Sequence, residues 1–321
     1  MKKLAVMLVH GVESAGDQYA ARAMQLLGGE FERIAGVPAR DALVMKPAFW
    51  APVFEPGQEH LSDRIAGEGS RWLVKGLDKL AAQASQGSTL ALLAAASTAG
   101  LRWLPGLGDA HFPTLRWLIV HYLGDAVAYH SGDDGTGHYE QVQAVLARAL
   151  HDLAATAGGD APLAVLGHSL GSVVASDFLY DLQGVSAGTP LAPQARAVLG
   201  DTPLERGETF GWFYTLGSPL ALWAQRHPGF GVPLTVPSPE FATRHPRQRG
   251  EWVNVYDPDD VIASPLRPLS DKWAGAVAED RRVTVGPWPL SATPLAHPYY
   301  WNDRRVVAPI ASALAQAWHR L

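Results

Sequence analysis

An α/β fold with a mostly parallel central sheet flanked by helices is predicted for this chain of 321 residues. Three observations predict it. Short uninterrupted apolar runs, Leu4 to Val9 and Pro162 to Leu166 among them, read as strands buried on both faces. Stretches of helical period alternate with these runs, the order expected when helices connect parallel strands. Between one strand run and one helix run lies Gly167-x-Ser169-x-Gly171, small residues where the chain must turn sharply.

The elements follow in order. Met1-Lys2-Lys3 mimics the start of a signal peptide. The apolar run behind it is too short, and no small-residue cleavage site follows promptly. Leu4 to Val9 is therefore the first strand, and a cytoplasmic protein is expected. It ends in His10-Gly11-Val12, and an amphipathic helix follows with Tyr19, Ala23, Leu26, Leu27 and Ile34 inward. Ala42 to Trp50 reads as a strand closed by Pro52 and Pro56. Residues 57–125 are expected to form a helical insertion or lid within a single domain spanning 1–321. Glu68 to Leu80 looks helical, and Ser88 to Leu104 carries only Arg102 as a charge. That run sits at the lower edge of a membrane span. A buried or capping helix, a lid and a membrane-contacting segment all stay open.

Leu115 to Tyr129 is apolar and aromatic, and Ser131 to Gly137 is a loop. Its Asp133 and Asp134 lack the spacing of a calcium loop. Val142, Val145, Leu146, Ala149, Leu150 and Leu153 mark a helix leading into the strand before Ser169. Past the turn, Val174, Phe178 and Leu182 recur at helical spacing. Residues 183–206 read as irregular loop, Phe210 to Leu216 as a strand ended by Gly217-Ser218-Pro219, and His227 to Arg249 as a second proline-rich loop. Trp252 to Tyr256 is a strand opening into Asp257-Pro258-Asp259-Asp260-Val261-Ile262-Ala263. Arg282 to Val285 is the last short strand, and a helix with Val306, Ile310, Leu314 and Trp318 on one face closes the chain.

Composition narrows the function classes. Hydrophobic residues make up 47% and charged residues 18%, below the roughly 25% of average domains. With eleven Trp, this suits apolar pockets or surface. The net charge of −5 comes without blocks of like charge, so no nucleic-acid partner is expected. Cysteine is absent, which excludes disulfides, thiolate metal sites and a cysteine nucleophile. No His-Glu-x-x-His and no G-x-G-x-x-G after the first strand is present, so neither zinc, another metal nor a dinucleotide cofactor is expected.

A serine at a strand-to-helix turn is forced into an uncommon backbone conformation with its hydroxyl projecting. Gly167-His168-Ser169-Leu170-Gly171 in that context resembles the nucleophile elbow of the α/β-hydrolase superfamily. His10-Gly11 after an early strand resembles the oxyanion loop of its lipases and esterases. The resemblance spans nearly the whole chain in order, although only these short motifs are specific. It implies the α/β-hydrolase fold, with Ser169 as nucleophile and an acid and then a histidine following in sequence. His297, in Leu295-Ala296-His297-Pro298-Tyr299-Tyr300-Trp301, occupies the base's place. Asp260 is the first choice of acid, since Asp260-Val261-Ile262-Ala263 resembles the acid-bearing segment of several lipases. Asp259 aligns after a shift of one residue, and Asp257 is weaker. The N–H groups of Val12 and Leu170 are the expected oxyanion donors, with His10, Gly11, Gly167, His168 and Gly171 in support.

The implied activity is hydrolysis of a carboxylic ester through an acyl-enzyme, without a cofactor. Activity should then fall as the pH drops through roughly 6.5, the ordinary range for an imidazole base. The substrate is expected to be a small-molecule or lipid ester, and a peripheral membrane or lipid contact is left open. Esterase, lipase, phospholipase, thioesterase and acyltransferase share this chemistry, and a non-catalytic binding module could retain the fold.

Overall fold

A computed structural model describes residues 2–11, 19–54, 126–129, 137–185, 188, 190–288, 290–292 and 294–321. The chain divides into two units, one of residues 1–11, 20–49 and 140–321 and one of residues 12–19 and 50–139. The first unit holds a six-stranded, all-parallel sheet of α/β class. Its strands are β1 (Leu4–Val9), β2 (Leu43–Ala48), β3 (Leu163–His168), β4 (Phe210–Leu216), β5 (Glu251–Tyr256) and β6 (Glu279–Arg282), in the spatial order β2-β1-β3-β4-β5-β6. The longer helices are α1 (Tyr19–Ala35), α2 (His138–Ala157), α3 (Leu170–Gly184) and α4 (Arg304–His319).

Burial explains which strands the sequence announces. Every residue of β1, β3 and β4 is buried, as helices on a parallel sheet require, and their side chains form the continuous apolar runs. β4 runs over the predicted Phe210 to Leu216, and β1 over Leu4 to Val9. The two edge strands depart from expectation. β2 is shorter than Ala42 to Trp50 and contains Pro47, which an edge tolerates because its missing N–H breaks no central ladder. β6 lies at Glu279–Arg282 rather than Arg282 to Val285. It pairs on one side only and is built of charged residues, which discourage further pairing and give no apolar run to find.

Helical faces follow the sequence with one correction. Ala20, Ala23, Leu27 and Phe31 form the buried stripe of α1, whereas Ile34, expected inward, is 37% exposed. Glu32 and Arg33 beside it are exposed too, so the last turn of α1 runs past the packed surface. Val174, Phe178 and Leu182 of α3 are buried. On α4, Val306, Ile310 and Leu314 are buried, and the half-buried Trp318 meets Phe31 edge-on, with centroids 6.4 Å apart. Asp303 caps α4 by accepting the Arg305 N–H at 2.8 Å. The loops around β4 carry short helices at Pro193–Arg196 and Phe241–Arg244.

Polar groups inside the sheet are paired in series. Trp252 Nε1 donates to Thr215 Oγ1, which donates to Asn254 Oδ1, while Asn254 Nδ2 donates to Asp280 Oδ1. In the second unit, Trp50 meets Phe54 edge-on at 5.6 Å, and the Tyr129 and Tyr139 rings lie 5.3 Å apart. The expected insertion over 57–125, with its Glu68 to Leu80 and Ser88 to Leu104 segments, lies outside the described residues. Among the described residues no helix is long and apolar enough to cross a membrane.

Candidate active site

The strand order sets the place where a site can form. From β1 the chain passes to β2 on one side, and β3 and all later strands lie on the other. Connections diverging in this way leave a crevice at the carboxyl ends of the two middle strands, here β1 and β3. His10-Gly11 continues β1, His168 ends β3, and Ser169 follows at that crevice. The two turns touch: a Cβ on Gly11 would stand 2.5 Å from Ser169 Cβ and 3.2 Å from Ser169 Oγ. Val12 lies outside the described residues.

Ser169 has φ 53 and ψ −134, and among the described residues only Phe230 is another non-glycine with positive φ. Such a conformation costs about 1–3 kcal/mol and persists only where neighbours over-determine it. The Ser169 N–H donates to the Leu216 carbonyl at 2.9 Å. The Ser169 carbonyl accepts from both Ser172 N, at 3.0 Å, and Ser172 Oγ, at 2.6 Å. Ser172 and Ser218 are fully buried, with their hydroxyl oxygens 2.6 Å apart, and Leu220 N–H donates to Ser218 Oγ. Since the Ser172 proton is committed to Ser169, Ser218 must donate to Ser172. The turn also demands its flanking glycines. A Cβ at Gly171 would run into the His10 carbonyl, and one at Gly167 would lie 2.7 Å from Ser172 Cα. Leu170 opens α3, so its N–H is among the first-turn amides without an intrahelical acceptor.

The acid and the histidine meet at the same edge. His297 Nδ1 lies 2.7 Å from Asp260 Oδ2, and both side chains are buried. A carboxylate only accepts, so Nδ1 carries the proton of this contact, and a proton-accepting form of the ring has its lone pair on Nε2. Asp260 Oδ1 accepts from Ile262 N–H at 3.0 Å, and Oδ2 also accepts from Tyr300 O–H at 3.1 Å. Burial by itself would raise the Asp260 pKa. The His297 interaction and these donors outweigh it and hold the carboxyl below its ordinary value. The same buried setting, with Asp260 beside it, pushes the Tyr300 phenol up.

The neighbouring acids do other work. Asp259 is exposed at the turn, its N–H bonded to Asp257 Oδ1 at 3.0 Å. Asp257 is fully buried; its Oδ2 accepts from Val285 N–H and its own N–H donates to Tyr300 Oη at 2.8 Å. Tyr300 thus ties the end of β5 to the carboxylate that holds His297. The sequence alone does not mark Tyr300 for this role. Its spacing of three from His297 within the 3-10 segment Pro294–Asn302 puts both on one face, a sign that could have found it.

The motif histidines are buried and neutral. His10 Nδ1 donates to the Gly11 carbonyl and its ring lies 5.3 Å from Phe49. His168 Nε2 lies 3.0 Å from the His297 carbonyl, and its ring centroid is 4.8 Å from that of His297. Burial drives the pKa of each down to about 3. Among the described residues no group of three or more His, Asp or Glu is placed to hold a metal ion. Compared with protein-family models, with curated proteins and with solved structures, the chain gives no match.

Proposed function

We propose that the chain is a serine hydrolase of α/β-hydrolase type that cleaves carboxylic esters through Ser169, His297 and Asp260. One observation carries the reading. The buried Asp260–His297 pair packs against His168, the residue before a serine held at positive φ between a strand and a helix. A serine hydroxyl needs a neighbouring base, and the base needs an acid to fix its tautomer. Asp260 fixes that tautomer with Nε2 as the proton acceptor.

In the proposed reaction Ser169 Oγ attacks the acyl carbon while its proton passes to His297 Nε2. The carbonyl π pair moves onto oxygen, where the N–H of Leu170 stabilises the charge by about 3 kcal/mol. The tetrahedral adduct collapses, the bond to the leaving alkoxide breaks, and His297 returns the proton to it. Water then attacks the acyl-enzyme with the same base, and releases the acid and free Ser169. Catalytic hydrogen bonds often tighten only when substrate is bound. The Ser169–His297 step is therefore best probed by reactivity. A fluorophosphonate reacts only with an activated serine, so it should label the intact protein at Ser169 and leave folded Ser169→Ala unlabelled. Folded wild-type protein that resists the probe would refute the reading.

A further inference from the structure

We propose that His168 is a positioning residue for His297, holding its backbone with a hydrogen bond and its imidazole by ring packing. The inference rests on the reading of His297 as the base. Two independent contacts support it. His168 Nε2 is 3.0 Å from the His297 carbonyl oxygen, and a carbonyl only accepts, so Nε2 carries the proton. The two rings lie 4.8 Å apart with their planes inclined by 33°. Behind this pair the His168 ring meets Tyr300 at 5.7 Å and Trp301 at 5.8 Å, so it cannot turn away without disturbing packed aromatics.

What makes this contact more than packing is where His168 sits. It is the last residue of β3, paired in register with Leu216, and Ser169 is bonded to it covalently. The segment bearing His297 comes from the far end of the chain, a sequence separation of 129 from His168. One side chain therefore references the base to the backbone that carries the nucleophile. Reacting atoms misplaced by about 1 Å cost on the order of a hundredfold in rate. A direct tie across this gap is where such precision would be set.

The tie also has to stay uncharged. The ionisable groups acting on His168 are His297, Asp260 and His10. Burial and the neighbouring His297 push His168 down to about 3, so it stays neutral around neutral pH. A cation there would oppose the imidazolium that His297 becomes as Ser169 loses its proton. Neutral His168, bonded through Nε2, leaves that charge to Asp260.

Two measurements test this. In protein labelled with 15N-histidine, the His168 ring should show a protonated Nε2 and a bare Nδ1 from pH 5 to 8. A proton on Nδ1, or titration within that range, would overturn the proposal without any variant. Second, fluorophosphonate labelling rates are compared across pH for wild type, His168→Gln and His168→Phe. Gln keeps a donor near Nε2 but gives up the ring contact, and should label about threefold more slowly than wild type. Phe keeps a ring but loses the donor, and should label about ten- to a hundredfold more slowly with a shifted pH midpoint. A His168→Phe protein that labels at the wild-type rate with an unmoved profile refutes the positioning role. Should that variant not fold, the nitrogen spectrum decides alone. Unlabelled wild type with the expected His168 tautomer would instead fault the hydrolase reading.

Discussion

Tyr300→Phe removes a single oxygen with two duties, and the cost can be worked from its partners. That hydroxyl accepts from Asp257 N–H at 2.8 Å and donates to Asp260 Oδ2 at 3.1 Å, with all three residues buried. Leaving a buried N–H without an acceptor costs about 1–3 kcal/mol, and a hydrogen bond to a charged group contributes about 1.5–3 kcal/mol. The variant no longer desolvates a hydroxyl, which returns on the order of 1 kcal/mol. The net expectation is a loss of about 3 kcal/mol. In urea, with a slope of about 3 kcal/mol/M, the midpoint followed by tryptophan fluorescence should fall by about 1 M. Tyr180→Phe is the control, because Tyr180 is 51% exposed and its change should stay within about 0.5 kcal/mol. If the two variants unfold at the same urea concentration, the hydroxyl does not join β5 to Asp260 as described.

Other perturbations bear on the same site. Asp260→Asn should keep the fold but slow fluorophosphonate labelling by about four orders of magnitude, because an amide no longer selects the Nδ1–H tautomer of His297; labelling within tenfold of wild type would contradict this. His10 and His168 have folded pKa values lowered to about 3 against an ordinary 6.5. Below about 6.5 the unfolded chain therefore binds protons that the folded chain refuses. Urea stability should fall with decreasing pH between about 6.5 and 3, by up to about 1.4 kcal/mol per pH unit for each histidine. His168→Phe should lessen that slope, and an unchanged slope would show that His168 is not buried neutral. Gly171→Ala drives a methyl into the His10 carbonyl and should cost about 3 kcal/mol or more. A variant as stable as wild type in the urea assay would refute the close approach of these turns.

The sequence made the central strands legible and the edges obscure, for one physical reason. β1 and β4 are buried along their whole length, so their burial is written as unbroken apolar runs. β6 pairs with β5 alone and is partly exposed along its length, so Glu279 to Arg282 are all charged and show no apolar run. Periodicity puts Ile34 inward although it is exposed, because it describes a helix face but not where the surface beneath it stops. At the site, the order of Ser169, Asp260 and His297 along the chain was readable, and the structure brings Asp260 and His297 into contact. Adjacent acids are a different matter. Asp259 and Asp260 differ by one position, and only the path of the turn decides which carboxylate enters and which meets solvent. Tyr300, His168 and Ser218 were visible as letters, but their roles depend on pairings across tens of residues or more.

The serine series beneath the turn has a polarity of its own. Each hydroxyl has one hydrogen to give, so the run from Leu220 through Ser218 and Ser172 to the Ser169 carbonyl can be wired in one sense only. Damage to it is therefore lopsided. Removing the hydroxyl nearest the loop spares both bonds to the residue 169 carbonyl, whereas removing the inner one leaves that carbonyl its bond from Ser172 N–H alone and takes the acceptor from Ser218. The loop after β4 would in this way feel a lesion at the turn more keenly than the turn feels a lesion in the loop.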